Sequence, residues 1–171
     1  MNFIFLAIKE HPWGREMLSQ LLEAGFVPSL IIQEFSEGGE VEREKFEFRI
    51  GTHKVGPTME SQVNEHGIPV VEVPIHNDEH CMEHIEGANP DLIVFGGTRI
   101  IRGQILEYGE ARGGVLNSHP GLLPECRGSA SPAWSVYENI KIGSSCHFCS
   151  TEIDAGAVSY THLRAHETCT N

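Results

Sequence analysis

Leu92-Ile93-Val94-Phe95-Gly96-Gly97, followed by Gln104–Glu110 and then by Val115-Leu116-Asn117-Ser118-His119-Pro120, decides the fold class. The first run is short, continuous and apolar, the pattern of a strand covered on both faces. Residues 104–110 read as a helix, and Val115-Leu116-Asn117 as the next strand. Pro120 has no N–H to give to a ladder, so that strand is expected to stop before it. Strand, helix and strand at this spacing predict a parallel crossover unit.

The same alternation runs outward in both directions. Phe3-Ile4-Phe5-Leu6-Ala7-Ile8 is a buried strand, and Met17, Leu18, Leu21 and Leu22 form a helical stripe that Gly25 ends. Ser29-Leu30-Ile31-Ile32 and Val70-Val71-Glu72-Val73 are further strands. Residues 37–50 are charged and read as a solvated helix or an excursion beyond the sheet, and residues 59–66 as a short helix closed by Gly67. Residues 80–85 are a helix candidate, residues 132–140 another with Pro132 near its start, and residues 144–149 a sixth strand. The expected fold is α/β: a mostly parallel, open, twisted sheet with helices on both faces, Rossmann-like.

Composition narrows the function classes. The chain has 171 residues and a formal net charge of -12, with 40% hydrophobic residues. That suffices for one domain with a real core. The acidic balance predicts no nucleic-acid partner, because such binding relies on neutralising phosphates with Lys and Arg. No apolar run reaches bilayer length, so no membrane partner is expected. Five cysteines at irregular spacing argue against a disulfide framework and for a cytoplasmic location. Oligomeric state has no sequence signal.

Asn117 and His119 lie two apart on a strand and so point to one side at its end, where open α/β sheets bind ligands. Asp154 follows in Ile153-Asp154-Ala155-Gly156. An amide, an imidazole and a carboxylate together suit acyl transfer. Taken alone, Asn-x-His is also ordinary turn chemistry, and a lone Asp is often a cap. His147 reads equally as a partner of Asp154 or as a core histidine. Cys146-x-x-Cys149 is only half of a closed zinc site, and on a strand its members face opposite ways, so no metal is expected. His76, His80 and His84, at helical spacing, read as a solvated helix face.

Asn117-Ser118-His119-Pro120-Gly121-Leu122-Leu123-Pro124, then Arg127-Gly128, Cys146-His147-Phe148 and Ile153-Asp154-Ala155-Gly156, resemble the formyltransferases that use 10-formyltetrahydrofolate. The resemblance implies Asn117, His119 and Asp154 as catalytic residues. Asn117 and a protonated His119 would donate to the oxyanion, and Asp154 would handle the proton of the attacking amine. It implies that Thr98, Arg99, Ile100 and Ile101 line the donor site, with Glu152 and Ile153 closing its other side. The first loop, Lys9-Glu10-His11-Pro12-Trp13-Gly14-Arg15, lacks the Gly/Ser-rich phosphate nest of the purine branch. A small amine, an amino sugar or a sugar nucleotide is therefore the expected acceptor. Alternatives are methionyl-tRNA, glycinamide ribonucleotide, water in hydrolysis of formyltetrahydrofolate, or a non-catalytic folate-binding domain. The string after Val158, Ser159-Tyr160-Thr161-His162-Leu163-Arg164-Ala165-His166-Glu167-Thr168, has no clear strand or helix pattern and looks like translated sequencing-adapter read-through. Residues 1–158 are expected to be an incomplete catalytic domain, and residues 159–171 a non-native tail without the accessory domain of the tRNA branch.

Overall fold

The computed structural model describes residues 1–163. Seven strands form one sheet in the order β3-β2-β1-β4-β5-β6-β7. The chain divides within β5 into two compact units, Met1–Val115 and Leu116–Asn171.

In the first unit the strands are β1 (Phe3–Ile8), β2 (Leu30–Glu34), β3 (Val70–Val73) and β4 (Leu92–Phe95). All neighbouring pairs are parallel, with Leu6 beside Ile32 on one side and beside Phe95 on the other. Every residue of β1 is buried, as its unbroken apolar run requires of a central strand. Its helices are α1 (Pro12–Glu23), α2 (Glu37–Ile50), α3 (Met59–His66), α4 (Glu79–Ala88) and α5 (Gln104–Glu110). The connections from β1 to β2 and from β2 to β3 run outward, and the connection from β3 to β4 runs back past β1. With right-handed crossovers, that reversal puts α4 on the face opposite α1, α2 and α3. The packing agrees: α1 touches α2 and α3, whereas α4 packs on β2 and β3.

The reversal creates a switch point at the carboxyl ends of β1 and β4. Side-chain rings press on the glycine backbone there. A Cβ on Gly96 would run into the Phe5 ring, and one on Gly97 would lie 2.6 Å from His11 Nδ1. His11 caps α1, its Nδ1 accepting from the Trp13 N–H at 3.2 Å. Its ring is buried, and burial lowers its pKa from 6.5 to about 4.

The helical reading of His76 is corrected here. The Asp78 carboxylate accepts from the Cys81 N–H and starts α4 at Glu79, so His76 precedes the helix. His76 is 0% exposed, while His80 stays on the solvated face.

The second unit contains most of β5 (Val115–His119), with α6 (Ser131–Tyr137), β6 (Gly143–Phe148) and β7 (Val158–Leu163). Both strand pairs are antiparallel, and a bulge interrupts β6 between Cys146 and His147. The reading of residues 159–163 as patternless is also corrected, because they continue Val158 into β7 and pair with β6. Val158, Tyr160 and Thr161 favour strands, and the free edge of β6 offers an unpaired row of backbone groups. Residues 164–171, the rest of the expected tail, lie outside the described residues.

Candidate active site

Strand β5 delivers Asn117 and His119, β6 delivers His147, and the loop after β6 returns Asp154 to them. Register explains the first meeting: Asn117 lies directly opposite His147 in the antiparallel pair. The Asn117 Nδ2 lies 3.2 Å from His147 Nε2. The bulge just before His147 adds the local twist that re-aims a side chain. Asp154 adopts φ 51, a left-handed conformation tolerated by Asp, and the Gly128 N–H donates to its Oδ2 at 2.8 Å.

Asp154 then faces two imidazoles. Its Oδ2 is 3.4 Å from His119 Nδ1, and its Oδ1 is 3.4 Å from His147 Nε2. The Asp154 carboxyl is held below its ordinary range, first by the hydrogen bond from His147, against the opposing effect of burial, and then by the Gly128 N–H. The carboxylate form is therefore the resident one at neutral pH.

His119 is buried, and acceptors surround it. Its Nε2 lies 2.7 Å from the Cys126 carbonyl oxygen and 3.0 Å from Ser131 Oγ. The Ser131 hydroxyl donates to the Gly128 carbonyl at 2.7 Å, so towards His119 it acts as an acceptor. A carbonyl can only accept, so Nε2 carries hydrogen and Nδ1 faces Asp154. Hydrogen on both nitrogens satisfies every neighbour of this ring. His147 Nδ1 lies 3.1 Å from the Phe148 carbonyl oxygen and is the protonated nitrogen by the same argument. That leaves His147 Nε2 able to accept from the Asn117 amide in the neutral tautomer, or to donate to Asp154 when charged.

The three residues expected to act together thus converge, with His147 as their common neighbour. His147 resolves as a residue of this cluster, and its place opposite Asn117 is a register fact that spacing along the chain did not contain. Ser131 and the backbone groups of Cys126 and Gly128 were not singled out. A backbone carbonyl or N–H leaves no mark on residue type, and the nearest signal was the Arg127-Gly128 context.

The expected donor-site residues fall in different units. Thr98, Arg99, Ile100 and Ile101 follow β4 in the first unit, and Glu152 and Ile153 belong to the second. Ile100 is 53% exposed and free to meet a ligand, whereas Ile101 is committed to the core. Ile153 and Phe148 are exposed, and Leu122 is buried. Burial raises the Cys149 thiol to about 12, and the Cys146 thiol upward as well. Among the described residues no group of three or more His, Cys, Asp or Glu side chains is arranged to hold a metal ion.

A family model described as Formyl transferase matches residues 1–168. The chain belongs to the formyl transferase family. Sequence relatives of this formyl transferase include the methionyl-tRNA formyltransferase of Chlorobium chlorochromatii, 34% identical over 92 residues that cover 53% of this chain and 29% of the relative. The methionyl-tRNA formyltransferase of Geobacillus thermodenitrificans is 26% identical over 159 residues, 91% of this chain and 45% of the relative. This formyl transferase chain spans about a third of the length of several curated relatives it matches. Among solved structures, a phosphoribosylglycinamide formyltransferase from Bacillus halodurans superposes with TM-score 0.69 at 19% identity, covering 100% of this chain and 83% of that one. A formyltetrahydrofolate deformylase from Pseudomonas syringae gives 0.67 at 18% identity, covering 95% and 50%. The expected α/β fold and the family resemblance are both borne out. No described helix is long and apolar enough to cross a membrane.

Proposed function

We propose that this chain transfers a formyl group from 10-formyltetrahydrofolate to a primary amine. The observation that carries the proposal is the convergence of Asn117, His119 and Asp154 around His147. The amine nitrogen attacks the formyl carbon, and the carbonyl oxygen becomes an oxyanion. One Asn117 N–H is aimed at His147, and the second is the donor proposed for the oxyanion. His119 supplies positive charge beside the centre. Its Nε2–H reaches a formyl oxygen only by loosening the bond to Cys126 or Ser131. Asp154 accepts the amine proton, directly or through water. Collapse of the intermediate breaks the bond from the formyl carbon to N10, and N10 takes up a proton to leave as tetrahydrofolate. Thr98, Arg99, Ile100 and Ile101 are the proposed donor-binding residues of the first unit, and Glu152 and Ile153 those of the second.

The acceptor reading shifts from the sequence expectation. The sequence relatives carry the name methionyl-tRNA formyltransferase, which favours methionyl-tRNA over a small amine, an amino sugar or a sugar nucleotide. The net charge of -12 describes this chain, whose matched stretch covers only about a third of several of those relatives, so it does not weigh against RNA contact by a longer protein.

The test supplies 10-formyltetrahydrofolate with methionyl-tRNA, glycinamide ribonucleotide, a panel of small amines, or no amine, and follows tetrahydrofolate release by absorbance. Release that requires methionyl-tRNA supports the reading. Release that requires a small amine restores the expected acceptor. Release without any amine makes the chain a hydrolase, and no release under any condition contradicts the proposal.

A further inference from the structure

Residues 98–102 contain neither helix nor strand, yet they follow β4 at the switch point of the first unit. Their geometry is set from outside by the loop between β3 and α4. The Asn77 Nδ2 donates to the Ile100 carbonyl at 2.7 Å, and the Arg102 N–H donates back to Asn77 Oδ1 at 2.9 Å. One primary amide therefore grips the segment two residues apart, as a neighbouring strand would.

Asn77 is itself anchored on both sides. On its N-terminal side the buried His76 donates its backbone N–H to Glu34 Oε2 at 3.2 Å, and its ring Nε2 lies 3.1 Å from the Ile32 carbonyl oxygen. On its C-terminal side Asp78 caps α4. The circuit closes through Arg99, whose Nη1 donates to Glu34 Oε1 at 3.3 Å. The loop runs from Glu34 through His76 and Asn77 to the segment, and from Arg99 back to Glu34. Glu34 is 2% exposed, so this end of the circuit is fixed in the core, while Asn77 and Ile100 stand at the surface.

We propose that Asn77 is a positioning residue for the formyl donor, holding residues 98–102 in the folate-binding conformation through its paired bonds to Ile100 and Arg102, with Glu34 as the buried anchor. This rests on the donor-binding role given above to residues 98–101. A segment already held in its bound shape loses less freedom on binding, so the clamp appears as donor affinity.

The test uses the full chain and 5-formyltetrahydrofolate as the binding probe, with Asn77→Ala, Asn77→Asp and Ile100→Ala. Asn77→Ala removes two hydrogen bonds at an exposed position and is expected to weaken the dissociation constant about tenfold. The KM for the amine and the urea midpoint are expected to stay unchanged. Amide exchange at Ile100 and Arg102 speeds up. Asn77→Asp keeps the acceptor for the Arg102 N–H, loses the donation to Ile100, and recovers part of the affinity. Ile100→Ala weakens binding by direct contact. If Ile100→Ala weakens binding and Asn77→Ala does not, the positioning role is overturned and the donor site stands. If neither weakens binding, the donor-site reading and the proposal fall together. An Asn77→Ala effect confined to the urea midpoint also overturns the proposal.

Discussion

Each unit holds a carboxylate against histidine, and the two arrangements differ in what they leave free. Glu34, in the first unit, is closed in. Its Oε1 accepts from Ser36 Oγ at 2.6 Å and from Arg99, and its Oε2 accepts from the His76 N–H. Burial raises its pKa, but the hydrogen bonds from His76 and Ser36 outweigh this and hold it at about 2. Asp154, in the second unit, has one backbone bond, at Oδ2, and stands on a left-handed turn with two imidazoles 3.4 Å away. A carboxylate saturated by fixed donors holds structure together. One with spare acceptor capacity beside mobile protons can take up another. The pairing of a carboxylate with histidine is therefore not by itself the mark of a site.

The largest expected effect falls on the second unit. Asn117→Ala removes a proposed oxyanion donor, and kcat is expected to drop by about 10²–10³-fold, or roughly 3–4 kcal/mol of barrier. Steady-state formyl transfer checks this, and an undiminished kcat breaks the assignment of chemistry to this cluster. The contrast sharpens with stability. Glu34→Gln leaves buried donors and His76 without their carboxylate and is expected to cost about 3 kcal/mol. Asp154→Asn is expected to cost about 1 kcal/mol. Urea midpoints measure both, and equal losses would erase the distinction between the carboxylates.

The pH dependence of folding separates the units further. Glu34 has its folded pKa depressed from 4.5 to about 2, so its contribution is complete above 4.5 and is lost as pH falls through that window. His11 is depressed from 6.5 to about 4 by burial in the neutral form. The unfolded chain therefore binds more protons between those values, and stability falls as pH drops from 6.5 to 4. Denaturation from pH 7 to pH 2 is expected to show both slopes, with the lower one flattened in Glu34→Gln. A stability that rises on acidification contradicts both. The smallest effect is expected from Ser131→Ala, which strips one of two acceptors from His119 Nε2 and slows transfer about fivefold. A rate equal to wild type would show that the Cys126 carbonyl suffices.

Periodicity made much of the first unit legible, because helices such as Met59–His66 bury one stripe and stop at a glycine, and strands such as Leu92–Phe95 are apolar throughout. It failed at His76, where a capping Asp moves the helix start past a residue that helical spacing had claimed. It failed again at β7, whose pairing depends on a neighbouring edge and not on its own alternation. At the candidate site, Asn117, His119 and Asp154 were readable as residue types in order. Their geometry was not, because it comes from the register of β5 on β6, a bulge at Cys146 and His147, and backbone groups of Cys126 and Gly128.

Within this cluster Asp154 is the group proposed to take the proton of the attacking amine. Single-turnover transfer from 10-formyltetrahydrofolate by Asp154→Asn, beside binding of 5-formyltetrahydrofolate to the same variant, tests it directly. The asparagine keeps the size of the side chain and removes its basicity. Donor binding close to wild type and a transfer rate reduced by at least about a hundredfold are expected. Transfer at the wild-type rate by a variant that still binds the donor would contradict that role for Asp154.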